Sequence, residues 1–439
     1  MLSDKTGYTD TFSQSCKSGI GVNSVKHILC ELRLLLCLQA QAEIPWLQGG
    51  HTKLRALASE YPDDSAFHPV VGDWAYDQGA DLRLKFSAQQ GRFGWSADYQ
   101  LLGQFGDSLE IPQQAQGLFL VPASVPDDER RWWDLTDTIS DNDSRIVAQR
   151  LDRAHLDYRG DKAVVRFGRQ AVTWGNGLIY TPMDFFNPFD PAAVDTEYKV
   201  GDDMLYGQYL LDSGSDYQFV SVQRRDEDGH VDSKVSSHAL KFHGFGTEHE
   251  FDLMLAEHFD QFIVAAGGLV NVGEAVVRGD ITVTDADDGW ETSLVANWSY
   301  SWVWSGHNVS GVAEYFFNGF GLRESDYTQE KIRQDKDLLD RLARGELFTL
   351  GRHYVAGSLL VELTPLVNLT PNIFVNMGDG SVLTQLVLQW DVAQNWQLLG
   401  SLAVPLGPSG TEYGGLETEV DDLTLEVGPS IFAQLAWYF

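Results

Sequence analysis

The side chains of this chain that could do chemistry are its charges, because the usual bond-making constellations are missing. The eleven histidines are scattered, and only His155, between Arg153 and Asp157, has charged neighbours close in sequence. There is no Gly-x-Ser-x-Gly, no phosphate-binding glycine loop and no His-Glu-x-x-His. No twelve-residue calcium loop is present either. The three cysteines are Cys16, Cys30 and Cys37, so the rest of the chain has no thiol nucleophile and no disulfide. These observations predict no catalytic residue, no resident metal and no cofactor. What remains is patterned charge. Lys53 and Arg55, and Arg83 and Lys85, stand two apart, with Arg92 following. Farther along come Asp252, Asp280, Glu291, Glu314 and Glu362. Charges two apart share one face of a strand, and clusters of one sign along a channel set its ion preference.

The elements that would carry these charges are strands. From about residue 50 the chain alternates polar and apolar residues in segments of about ten. In 80–88, ADLRLKFSA, Leu82, Leu84 and Phe86 oppose Asp81, Arg83, Lys85 and Ser87. In 290–304, Trp290, Leu294, Trp298, Tyr300, Trp302 and Trp304 oppose Glu291, Ser293, Asn297 and Ser299. About eighteen such segments (16–18) are predicted. They lie near 51–60, 79–88, 92–104, 145–158, 163–174, 203–212, 216–225, 233–243, 247–258, 261–270, 273–284, 289–303, 308–317, 350–363, 366–376, 381–391, 395–406 and 428–439. Connections after even-numbered segments are short. The long ones, 61–78, 105–144, 175–202, 318–349 and 407–427, all follow odd-numbered segments. A soluble sandwich has no reason to gather its long loops at one end. A transmembrane antiparallel β-barrel does, with short periplasmic turns and long extracellular loops.

Composition agrees. The chain of 439 residues carries 31 Lys+Arg against 63 Asp+Glu, a net charge of −32, which disfavours nucleic acid as a partner. No apolar run is long enough for a transmembrane helix. Residues 1–42 read as a signal peptide with an upstream extension: Lys26-His27, an apolar stretch over 28–38, then Ala40-Gln41-Ala42. Val25 is the expected start. Residues 43–439 form one barrel domain. Its last strand ends in Trp437 and Phe439, an apolar terminal face of the kind read by the barrel-insertion machinery. Outer-membrane lipid and lipopolysaccharide are the other expected partners. Residues 328–344 read as a short helix packed on the rim.

The segment 165–191, VRFGRQAVTWGNGLIYTPMDFFNPFDP, is the most distinctive. Gly168-Arg169-Gln170, Trp174-Gly175, Gly177, Pro182 and Asp184-Phe185-Phe186-Asn187-Pro188 resemble a stretch of porin-like outer-membrane proteins of proteobacteria. That set includes alginate-export-type porins and related families of unknown function. The resemblance implies a porin-like barrel more than any substrate. Its glycines and prolines suit a loop that folds into the barrel. Residues 175–202 are therefore a candidate constriction, with Arg169, Trp174, Asp184, Asn187, Asp190 and Asp195 its candidate residues. Strict alternation from Phe167 turns Arg169 toward lipid, whereas a bulge at Gly168 would turn it inward. The early strands would give the lumen a basic side and the later strands an acidic one.

The reading is an outer-membrane channel of a Gram-negative bacterium for passive passage of small solutes, anions among them. An exporter of an acidic polysaccharide and a docking barrel for a periplasmic partner are the alternatives. An enzyme is not expected.

Overall fold

The computed structural model describes residues 45–111, 125–142, 144–323, 325, 327–418, 420 and 423–439. The signal segment 1–42 lies outside them. The chain divides into Met1–Leu47 and Gln48–Phe439, and the second unit is the barrel. Among the described residues, eighteen antiparallel strands close on themselves. They are β1 (Leu47–Glu60), β2 (Trp74–Gln90), β3 (Phe93–Gly106), β4 (Arg145–Arg159), β5 (Ala163–Gln170) and β6 (Asp202–Leu210). There follow β7 (Asp216–Val222), β8 (Ser237–Phe245), β9 (His249–His258), β10 (Gln261–Val272), β11 (Ala275–Ala286) and β12 (Gly289–Trp304). The last six are β13 (His307–Phe317), β14 (His353–Thr364), β15 (Val367–Asn376), β16 (Val382–Ala393), β17 (Trp396–Leu406) and β18 (Ser430–Tyr438). Each predicted segment overlaps one of these strands. No described helix is long and apolar enough to cross a membrane.

The usual order of burial is inverted. Leu205, Leu253, Leu255, Val264, Ile281 and Leu402 are exposed, while Asp252, Asp280, Asn297 and Glu314 are buried. A barrel in lipid requires this alternation, because its outer face meets hydrocarbon and its inner face meets polar groups. Aromatic side chains gather near the short turns. Trp298, Tyr300 and Trp302 stack in series at 5.8 Å, and Trp396 faces Trp437 at 6.1 Å.

The barrel closes where the ends of the chain meet. β1 pairs with β18 from His51↔Tyr438 to Ser59↔Ser430. Gly50 and Phe439 exchange backbone hydrogen bonds of 2.9 and 3.1 Å. A Cβ on Gly50 would stand 2.0 Å from the Arg83 carbonyl oxygen, so no side chain fits there.

One strand was not foreseen. Thr136–Asn142 pairs with the upper part of β4. The sequence TDTISDN is polar and reads as loop. It forms a strand because β5 stops at Gln170, leaving Arg145–Arg150 without a neighbour on that side. The chain just before it, 128–133, lies against the ends of β5 and β7. Trp132 and Trp133 pack on Phe167 at 6.0 and 5.4 Å, and Arg131 bridges to Arg224. The long β3–β4 connection therefore patches the wall.

At the long-loop end a second core forms from four connections. Tyr61, Phe67, Ile111, Leu338, Leu416 and Leu425 belong to it. Helices α1 (Gln329–Gln334) and α2 (Lys336–Ala343) stand where one helix was predicted. The break is at Asp335, whose side chain caps α2 by accepting from the Leu338 N–H. This cap covers part of the barrel mouth.

A candidate lumen threaded by one loop

The connection 171–201 runs inside the barrel and makes a circuit of the inner wall. It begins with an apolar anchor. Trp174, Met183, Phe185 and Phe186 pack against Met204, Val220, Val222, Met254 and Ile263 from the inner faces of β6, β7, β9 and β10. The Trp174 indole N–H donates to Gln218 Oε1 at 2.8 Å.

Next come two carboxylate cradles. Asp280 on β11 accepts from the Asn176 backbone N–H at 2.6 Å, from its side-chain amide at 2.7 Å and from the Gly177 N–H at 3.1 Å. Glu314 on β13 accepts from the N–H groups of Leu178, Ile179 and Tyr180, the shortest bond being 2.6 Å. A loop buried inside a barrel must find partners for its N–H groups, and these wall acids supply them. Tyr180 then stacks on Phe316 at 4.8 Å.

The loop returns along the opposite wall. Gln385 on β16 donates to the Ala192 carbonyl at 2.8 Å. Lys53 on β1 holds Asp195 at 2.7 Å and Glu197 at 2.8 Å. The Tyr198 ring lies 4.2 Å from the Arg83 guanidinium and 4.8 Å from the Lys85 ammonium. Finally Lys199 donates to Asp184 at 2.6 Å and to the Val172 carbonyl, tying the loop's end to its beginning. Asn187, with a φ of 54°, reaches Asp202 at 3.4 Å.

The sequence-selected charges thus occupy several kinds of place. Lys53, Asp252, Asp280 and Glu314 hold the loop or its neighbours. Arg83 is 2 % exposed and pairs with Asp152 at 2.7 Å. Arg55 is exposed to the lumen and forms no ion pair among the described residues. Arg92 stands on a short turn, paired with Asp161 at 2.9 Å. Glu362 lies near the next such rim, accepting from Asn308 at 2.8 Å. Glu291 stands at the long-loop end, 3.9 Å from Arg352.

Arg169 is fully buried. Pairing between β4 and β5 is unbroken from Val164 to Arg169, so Arg169 keeps the face of Phe167. It does not meet lipid, because the wall patch covers it. Its guanidinium forks onto Asp203 at 2.8 and 2.9 Å, reaches Asp128 at 2.6 Å and donates to the Trp133 carbonyl. These bonds hold the Asp128 carboxyl down at about 2 against the opposing effect of burial.

Two cavities remain beside the loop. The first, about 400 Å³, is lined by charges including Lys53, Arg55, Arg83, Arg150, Asp81 and Asp152. The second, about 540 Å³, is mostly apolar, with Leu57, Phe348, Phe374, Tyr413 and Val427. Both touch Arg55, Leu57, Asp195 and Phe432. Sequence patterning did not single out Asn176, Arg150, Asp152 or Tyr198. Asp152 was hidden by a bulge, where β4 shifts register against β3 between Asp98 and Tyr99.

Glu412 lines the second cavity from the cap. It accepts from Tyr354 Oη at 2.5 Å and Asn376 Nδ2 at 2.8 Å. Burial, reinforced by nearby Asp379, pushes its carboxyl up to about 8. A raised acid favours the folded state fully below its unfolded value and loses that contribution as pH rises through the folded one. Urea unfolding should therefore show stability falling between about pH 4.5 and 8, by on the order of 5 kcal/mol. Glu412→Gln should flatten that slope, and an unchanged slope would assign the pH dependence elsewhere.

No family model and no curated protein matches the chain. Solved structures match its fold. OccAB1 of Acinetobacter baumannii aligns at a TM-score of 0.51 with 10% identity, over 89% of this chain and 96% of that one. OccK8 (OprE) of Pseudomonas aeruginosa aligns at 0.47 with 9% identity, over 89% and 97%. Wzi, an outer-membrane protein involved in group 1 capsule assembly in Escherichia coli, aligns at 0.48 with 10% identity, over 96% and 90%. OccAB1 is a proteobacterial outer-membrane β-barrel, and the chain shares its fold.

Proposed function

We propose that this protein is an outer-membrane channel for passive diffusion of small solutes, with anions guided along the wall formed by β1 and β2. The single observation that carries this reading is the pair of cavities left beside the inward loop, meeting at Arg55, which is unpaired among the described residues. Across from it the loop presents Asp190 and Asp195. A cation on the wall facing acids on the loop makes a transverse field, and low-dielectric walls strengthen it. The inner-wall cations Lys53, Arg83 and Lys241 lean on carboxylates, so they shape the passage more than they offer free charge. The long loops, carrying the cap, are assigned to the cell exterior and the short turns to the periplasm.

Arg55→Gln tests the reading in planar bilayers. The anion/cation permeability ratio should fall by about two-fold at low salt and by less at high salt, where screening shortens the reach of the charge. Reversal potentials in a salt gradient measure it. A ratio that does not move at low salt would remove Arg55 from the path, and absence of any conductance would sink the channel.

A further inference from the structure

The two halves of the inward loop are held by different forces. Residues 172–186 are anchored in an apolar core by Val172, Trp174, Met183, Phe185 and Phe186 and cradled by Asp280 and Glu314. The return arm 193–198 has no such core. Between the Ala192 carbonyl, held by Gln385, and Lys199, held by Asp184, its ties to the strands are polar and aromatic: the buried Lys53 ammonium, with Gln434 and Tyr438, on its two carboxylates, and the Tyr198 ring against Arg83, Lys85 and His51. Lys53 Nζ is shared between Asp195 and Glu197, and Tyr438 Oη donates to Glu197 at 2.9 Å. Lys53 is 3 % exposed, so a solute in either cavity meets little of it. The arm also has room to move, because Val194 and Asp195 border the larger cavity while Asp195 and Tyr198 border the smaller.

We infer that 193–198 is a movable partition between the two cavities, and that Lys53 is the positioning residue that latches it shut. This rests on the channel reading above but assigns Lys53 a role distinct from ion selection. An arm held by a few polar contacts can part from the wall as a unit, whereas a packed core does not open piecemeal.

The test uses two variants of the full-length protein that remove the latch from opposite sides: Lys53→Met, and Asp195→Asn with Glu197→Gln. The first deletes a positive charge and the second deletes two negative ones. A latch predicts the same outcome for both. Single-channel conductance rises about two-fold with more frequent flicker, and hydrogen exchange of 193–198 quickens about ten-fold while 172–186 is unchanged. A selectivity role predicts opposite shifts in ion preference with no change in exchange, and that result would overturn the latch. Quicker exchange of the whole loop in both variants would also overturn it, since the arm would not be a separate moving part. Local quickening in a protein that carries no current would keep the latch and sink the channel reading.

Discussion

Removing both carboxylate cradles, with Asp280→Ala and Glu314→Ala together, is expected to raise single-channel conductance severalfold. Five backbone N–H groups of residues 176–180 end on these two side chains. Hydrogen bonds to a charged acceptor contribute about 1.5–3 kcal/mol each, so the stretch loses more than any other single contact could restore. The freed N–H groups regain partners only in water, which draws 176–180 away from β11 and β13 and widens the passage there. The apolar anchor at Trp174 and Phe186 stays in place, so the barrel itself should remain folded and heat-modifiable. Glu314→Gln, which keeps one acceptor oxygen, should fall between wild type and the double variant. Conductance equal to wild type would show that the current does not pass that side of the loop.

The second large effect is expected at Arg169. Arg169→Met leaves Asp203 buried without its cation and Asp128 with Arg131 as its close partner, and breaking a buried pair in this way costs about 3–5 kcal/mol. Urea unfolding in detergent should register that loss. Adding Asp203→Asn to Arg169→Met should recover part of it, because the stranded charge is then gone. Lysine cannot replace the arginine, since only a planar fork reaches both oxygens of Asp203. A variant as stable as wild type would mean that the wall patch is held by Trp132 and Trp133 on Phe167 alone.

These two sites show what period two reveals and what it hides. Alternation placed the strands, because a wall between lipid and a polar lumen imposes it residue by residue. It also put Asp280 and Glu314 on the inner face. It could not say that they would serve the loop's backbone, because their partners lie more than a hundred residues away and are N–H groups, which leave no mark in sequence. Arg83 and Lys53 read as free lumen charges for the same reason: Asp152 is displaced by a bulge, and Asp195 arrives on a loop with no periodicity. At Arg169 two faces were open. Neither choice included a covering segment, because residues 128–133 carry no periodicity and the strand that follows them, Thr136–Asn142, is polar and acquires its conformation only from the vacant edge of β4.

The seam between β1 and β18 has a consequence for the order of assembly. The return arm is gripped from both sides of that seam, by Lys53 of β1 and Tyr438 of β18. These residues stand at opposite ends of the folded chain, and such distant contacts are the last whose loop-closure entropy is repaid. A barrel still open at the seam therefore has its apolar anchor and carboxylate cradles available but not its complete latch. The lumen is furnished from the middle of the chain outward, and the last strand to join both shuts the cylinder and sets the partition.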